Sequence, residues 1–302
     1  MTAPRPVFPG RILSITRTCT QRQFLLRPDE LTNEAFTYCL AEAARTCGVE
    51  LILSMMEGNH HHSLVYDPHG REVEFRERLH KMVAKVQNAR FNRTENLWSS
   101  CEPCVVEVAD PTDLLDQPVY IATNPVKDHL VERVHHWPGP NFVKALLTGT
   151  RIVARRPRHF FRKDGTMPLE IELEMKLPDH IEGKAALLAE LARRISEVEE
   201  TLIIERRRTG RKIFGRGRVL RQSWRSSPTS ERPRGSLRPR LAAKNPERRT
   251  MLLKRNAQWR SDYRSARSDL MAGVPTIFPF GTYWLRRFAN VQVGPPEPPY
   301  CC

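Results

Sequence analysis

The pattern of apolar and polar positions divides the first 110 residues into short alternating runs. Residues 11–19 (RILSITRTC) mix β-branched and apolar side chains in the manner of a strand. Pro28-Asp29-Glu30-Leu31 opens a run of helical period that reaches Thr46 and meets a glycine stop at Gly48. Residues 51–56 (LILSMM) suit a buried strand, Gly58-Asn59 is a hairpin-type pair, and residues 60–66 supply the returning strand. From Arg71 to Phe91 the side chains of Phe75, Leu79, Met82, Val83 and Val86 fall on one stripe of a charged helix, and residues 104–108 (CVVEV) form a short strand. The order is β-α-β-β-α-β. It predicts an α+β fold of the ferredoxin-like kind, an antiparallel sheet with helices on one face.

Beyond it, Asp110-Pro111 is a cap followed by proline at the first helical position, and a helical run extends through Val134. Pro118 and Pro125 each remove a backbone donor, which predicts a kink or break near both. The character changes from about Pro138. Leu169, Ile171, Leu173, Met175 and Leu177 alternate with Glu170, Glu172, Glu174 and Lys176, and Asp164-Gly165 upstream signals a hairpin with one buried face. Leu188, Leu191, Ile195, Val198 and Leu202 then follow helical spacing for about two heptads, too few for a coiled coil, so this helix is expected to pack on the body.

Charge adds a second layer. The chain of 302 residues carries a net charge of +15, yet residues 201–260 alone hold 19 Lys and Arg against 3 Asp and Glu. A near-neutral body with one strongly basic segment is the footprint of a polyanion-binding protein, and the preference for Arg suits phosphate. Within that segment residues 222–249 are rich in Arg, Ser and Pro and are expected to be mobile until bound. The end turns apolar again, with Phe278, Phe280, Tyr283, Trp284 and Phe288 expected to dock on the body, or else to stack on bases beside Arg286 and Arg287. No apolar run approaches the roughly 18 residues that span a bilayer, and the seven cysteines are an odd number in a chain that does not need staples. The expectation is a cytoplasmic, nucleoid-associated protein with no membrane partner and reduced thiols. Cys101-Glu102-Pro103-Cys104 is half of a zinc spacing with no second half.

The residues that could carry chemistry are Asn59-His60-His61-His62. On a strand His60 and His62 share one face while His61 points to the other, which makes the first and third a pair of candidate metal ligands. Tyr120 and Asn124 stand four residues apart, one above the other on a helix. Read singly, these are a satisfied histidine pair, a tyrosine packed on the sheet and a helix-breaking asparagine before Pro125. Glu57, just before the turn, could touch a metal held by the histidines, but reads rather as a solvent-facing turn residue.

Taken together and in order, these motifs resemble those of the single-tyrosine HUH transposases, in particular the REP-associated tyrosine transposases. The resemblance rests on NHHH after the apolar strand LILSMME, on YIATNPV, on ITRTCTQRQFLLRPDE at the start and on KVQNARFNRTENLW after the second helix, and it spans residues 8–142. It implies that His60, His62 and Asn124 bind Mg²⁺ or Mn²⁺ and that Tyr120 is the nucleophile of a DNA strand transfer. Cleavage and rejoining of single-stranded or hairpin DNA would then pass through a 5′-phosphotyrosine. The chain departs from the family pattern at His61, where an apolar residue is usual, at Gly58, where proline is usual, and at Pro118. A catalytically degenerate DNA- or RNA-binding protein is the alternative, and a hydrolase using a metal-bound water is a third.

The expected organisation is therefore a catalytic domain over residues 8–142, a hairpin and amphipathic helix over 143–205, a basic, partly disordered arm over 206–260 and an apolar tail over 261–302. The arm offers Arg206, Arg207, Arg208, Arg211, Lys212, Arg216 and Arg218 as nucleic-acid contacts. A homodimer is left open by the sequence.

Overall fold

Strand pairing follows the hydrophobic pattern over the first 108 residues. The computed structural model, which describes residues 4–162, 164–230 and 240–296, contains β1 (Arg11–Thr18), α1 (Glu30–Cys47), β2 (Glu50–Met56), β3 (His60–Asp67), α2 (Glu72–Arg90) and β4 (Cys104–Val108) in that order. The sheet runs β2-β3-β1-β4 with antiparallel neighbours, and β7 (Leu241–Ala242) extends it in parallel along β4. The architecture is mixed α+β around a five-stranded, mostly antiparallel sheet. Local signals set the helix ends: Asp29 caps α1 through Thr32 N at 3.0 Å and also holds Arg27 and Arg90, and Gly48 closes the helix at φ 65°.

The two helices of the β-α-β-β-α-β unit share one face, and the helix that follows it covers the other. Phe36 of α1 and His80 of α2 pack on His61, whereas α3 (Pro111–Lys127) brings Asn124 to His60 and His62 on the opposite face of β3. The sheet is thus covered on both sides: β2 and β3 are buried on both faces, and the third helix supplies the second cover.

One correction concerns α3. It is one continuous helix through Pro118 and Pro125, and it stops at Lys127 rather than Val134. Each proline deletes one rung, at the carbonyls of Leu114 and Ile121, but packing against β2, β3 and α5 (Lys184–Thr209) holds the axis. Beyond Lys127 the chain leaves through His129, a non-glycine residue at φ 54°. Asp110 and Asp113 at the start of α3 accept from Asn245 N and Lys244 N, which ties β7 to this helix.

The alternating run is a strand as expected, yet its partner is distant. β5 (Ile152–Arg155) pairs with β6 (Glu170–Leu173) across residues 156–169, so Asp164-Gly165 lies inside a long connection and is not a two-residue turn. Ile171, Leu173, Met175 and Leu177 are buried against α1 and β2, while Leu169, expected on the same face, is 69% exposed. α4 (Val143–Thr148) precedes this pair, and α5 packs along α3 through Leu191 and Ile195.

The basic segment is more ordered than the sequence implies. It contains α6 (Arg216–Arg221), β7 and the start of α7 (Pro246–Met271), and residues 222–230 are seated on the loop at 21–27. There Phe24 N donates to Ser226 O at 3.0 Å and the Trp224 ring stacks on Phe91 at 4.9 Å. The part of the expected mobile stretch at 231–239 lies outside the described residues. Much of the tail is itself helical or docked: residues 261–271 complete α7, Phe278 is fully buried beside Tyr263, and Gly281 O accepts from Val7 N at 3.0 Å. Trp284 and Phe288 of the short α8 (Trp284–Phe288) stay exposed. Among the described residues no helix is long and apolar enough to cross a membrane.

Candidate active site

β3 pairs with β1 so that His62 stands opposite Thr16 and His60 opposite Thr18, on the face covered by α3. The outer nitrogen of each imidazole is held from behind. His62 Nδ1 is 2.8 Å from Thr16 Oγ1, and His60 Nδ1 is 2.7 Å from Asn59 Oδ1. The Asn59 oxygen can only accept, so His60 carries its proton on Nδ1 and keeps the Nε2 lone pair. Both Nε2 atoms then face Asn124, whose Nδ2 lies 3.3 Å from His60 and 3.0 Å from His62. One amide thus faces the Nε2 atoms of two imidazoles. Rotating that amide by half a turn presents its oxygen to the same two nitrogens. Two imidazole nitrogens with an amide oxygen suit Mn²⁺, and Mg²⁺ with more difficulty. Among the described residues no three His, Cys, Asp or Glu side chains converge to hold a metal ion.

Electrostatics keeps the pair ready for a cation. Burial pushes the His62 pKa well below its ordinary value, and the neighbouring His60 and His61 add to this, so His62 is neutral at pH 7. His61, on the other face, is fully buried. Its Nε2 meets His80 Nε2 at 2.9 Å and its Nδ1 meets Ser63 Oγ at 3.2 Å, with Phe36 and Trp98 packed around the ring. Burial lowers its pKa to about 3. The polar ring at a position that calls for an apolar residue is therefore fully partnered.

Tyr120 sits one helical turn before Asn124. Its ring packs edge-on to His62 at 5.5 Å between centroids, and it is 45% exposed, so the nucleophile candidate borders the histidine pair and opens to solvent. Burial of part of the ring raises the Tyr120 pKa, and the nearby carboxylate of Asp128 acts in the same direction.

Glu57 is a correction to the sequence reading. It is 3% exposed rather than solvent-facing, its Oε2 lies 3.8 Å from His60 Nδ1, and its Oε1 has no hydrogen-bond partner. Burial, followed by the charge of Asp128, pushes its pKa well above the usual carboxylate range. The turn is closed over by the loop at 21–27, where Leu26 N donates to Gly58 O and Asn59 Nδ2 donates to Arg22 O. A Cβ at Gly58 would stand 3.1 Å from the Phe24 ring, so a larger residue here would have to shift that ring slightly. Sequence reasoning also missed His80, although it follows Leu79 on the buried stripe of α2, and Lys127, whose ammonium lies over the Tyr120 ring.

The basic candidates divide. Arg207, Arg208, Arg211, Lys212, Arg216 and Arg218 are exposed, whereas Arg206 is buried with its guanidinium donating to Glu132 O. Arg206 is thus a structural residue of α5, a further correction. The exposed group lies close to the site, because Phe214 N and Gly215 N donate to His129 O and Leu130 O just past the end of α3.

No protein-family model matches this sequence, and no curated protein matches it. Among solved structures, two transposases resemble the chain. A REP-associated tyrosine transposase, bound in that structure to a REP hairpin, is 18% identical, with a TM-score of 0.41 over 56% of this chain and 93% of its own. A candidate transposase from Deinococcus radiodurans R1 is 19% identical, with a TM-score of 0.29 over 39% of this chain and 93% of its own.

Proposed function

We propose that this protein is a DNA strand transferase of the HUH single-tyrosine type, built on a ferredoxin-like sheet, with Tyr120 as nucleophile and His60, His62 and Asn124 as the holders of a divalent cation. The observation that carries the reading is the convergence of both Nε2 atoms on Asn124 with the Tyr120 ring against His62. That four residues from two distant segments meet at one place supports a role in metal-assisted phosphoryl transfer.

In this reading the chain's residues divide the work. Thr16 and Asn59 fix the ring orientations from behind, so that both lone pairs point the same way. A bound Mg²⁺ or Mn²⁺ would polarise the scissile phosphate and offset charge developing there. Tyr120 Oη forms a bond to phosphorus, the bond from phosphorus to the 3′ oxygen breaks, and the phenolic proton ends on that oxygen. The products are a 5′-phosphotyrosine and a free 3′-hydroxyl. One phosphodiester is exchanged for another, so the step runs backwards as readily and rejoins strands without ATP. Arg207, Arg208, Arg211, Lys212, Arg216 and Arg218 would hold single-stranded or hairpin DNA through its phosphates.

The test is a denaturing gel of protein incubated with single-stranded oligonucleotides and Mn²⁺. The wild type is expected to give a DNA-shifted band that survives denaturation, and Tyr120→Phe is expected to lose the band while binding DNA within a few-fold. A band that persists in Tyr120→Phe would overturn the assignment of the nucleophile. A wild type that binds DNA without any band would favour a DNA-binding protein without catalysis.

A further inference from the structure

Tyr120 opens into a groove of about 660 Å³ between α3 and α5, lined by Asp116, Lys127, Arg193, Arg194 and Thr201 among others. Three cations face this groove, and two are committed. Arg193 is held by Glu190 and Glu197, and Arg194 by Glu190 and Asp116. Lys127 is different. It stands two turns along α3 from Tyr120 with its Nζ 5.2 Å from the centre of the Tyr120 ring, it is half-buried, and no carboxylate among the described residues forms an ion pair with it. The ring face holds the ammonium by cation–π attraction, but gives it no counterion.

A partly desolvated ammonium over the ring of a half-exposed tyrosine, with no ion-pair partner among the described residues, is a place prepared for an anion. The carboxylate of Asp128 disfavours a second negative charge at Tyr120. A phosphate arriving at the Tyr120 hydroxyl therefore needs positive charge on the groove side as well as on the histidine side. We infer that Lys127 binds the phosphate that Tyr120 attacks, its Nζ contacting a non-bridging oxygen from the side opposite the histidine pair. This deepens the reading above and rests on Tyr120 facing the reacting phosphate. It gives α5 a function too, since the groove exists only because α5 packs beside α3.

The test uses the full-length protein in a Tyr120→Phe background, so that DNA is bound without being cut. Fluorescence anisotropy would compare Lys127, Lys127→Met and Lys127→Arg on single-stranded oligonucleotides, across a salt series and across a set carrying one uncharged methylphosphonate at each linkage in turn. Lys127→Met is expected to lower affinity by about 3- to 10-fold and to flatten the slope of log affinity against log salt by about 0.7, the value of one single-strand phosphate contact. Lys127→Arg is expected to keep the slope. At one linkage the methylphosphonate should weaken binding with Lys127 and cost nothing further in Lys127→Met. With Tyr120 restored, that linkage should be the one joined to protein. An unchanged affinity and salt slope in Lys127→Met with an unchanged melting temperature, or no coupled linkage, would overturn the inference while leaving Tyr120 as nucleophile untouched. A coupled linkage in a protein that forms no adduct would uphold the phosphate contact and overturn the nucleophile.

Discussion

The two faces of β3 carry imidazoles one residue apart, and they behave as opposites. On the back face His61 has both ring nitrogens occupied by side chains, Ser63 and His80, inside a sealed layer between the sheet, α1 and α2. On the front face the Nδ1 atoms of His60 and His62 are held from behind, and both Nε2 atoms meet a side chain that can exchange a donor for an acceptor by rotating. Burial alone does not distinguish the faces, since His62 is as well covered as many core residues, at 5% exposure. What distinguishes them is what meets the ring nitrogens: another imidazole and a hydroxyl close the back face, whereas a single amide faces the Nε2 atoms of both rings on the front. Polar groups closed on one another specify a core, and polar groups closed on one side only make a site.

The largest effect should come from removing the front pair. His60→Ala and His62→Ala are each expected to lower Mn²⁺ affinity and adduct formation by on the order of 10²-fold or more, because each deletes a ligand and not merely its support. Isothermal titration with Mn²⁺ and the adduct assay check this together. Metal affinity within a few-fold of wild type in either variant would dissolve the contrast between the faces.

The back pair should instead govern stability. His61→Val leaves His80 Nε2 without its partner in a buried layer, at a cost of about 1–3 kcal/mol. His61→Val with His80→Leu removes both groups and should recover most of that loss, with Mn²⁺ affinity unchanged in both variants. Urea unfolding midpoints measure the first claim. A single variant as stable as the double one would mean the two rings are not coupled.

Acid should separate the wild type from the double variant further. The pKa of His61 is lowered by burial to about 3 from an ordinary 6.5, and that of His80 is also lowered. A buried neutral imidazole contributes its full stability above the unfolded value, and loses it as pH falls from about 6.5 towards 3, because only the unfolded chain takes up the proton. At pH 5 one such imidazole has given up about 2 kcal/mol. The wild type should therefore lose stability between pH 7 and pH 5 more steeply than His61→Val with His80→Leu, and parallel curves would contradict the assignment.

How much of this was legible in the sequence follows from the range of the interactions. The strands and first two helices could be read because their apolar spacing and their caps, Asp29 and Gly48, are local. The histidine faces followed from the period of the strand. What could not be read depended on packing partners far along the chain. Pro118 and Pro125 announce breaks that packing against α5 prevents, and Glu57 looks like a turn residue until the loop at 21–27 closes over it. Arg206 belongs to an Arg run, but its place on the buried stripe with Ile195, Glu199 and Ile203 sets it apart from its neighbours.

The smallest effect should come from the exposed basic group. Replacing Arg211, Lys212, Arg216 and Arg218 by Gln should weaken binding to all DNA sequences alike and flatten the salt slope by about 0.7 for each phosphate no longer gripped, with the chemistry per bound DNA unchanged. Anisotropy on two unrelated oligonucleotides distinguishes this from a sequence-specific loss, which would contradict it.

The most direct measurement of the central claim is peptide mapping by mass spectrometry of wild-type protein after reaction with a short single-stranded oligonucleotide and Mn²⁺. The account predicts that the nucleotide mass is found on Tyr120 through its phosphate, that it is absent when Mn²⁺ is chelated, and that the released strand ends in a 3′-hydroxyl. Nucleotide mass on another residue such as Tyr66, or cleaved DNA with no modified peptide, would contradict it.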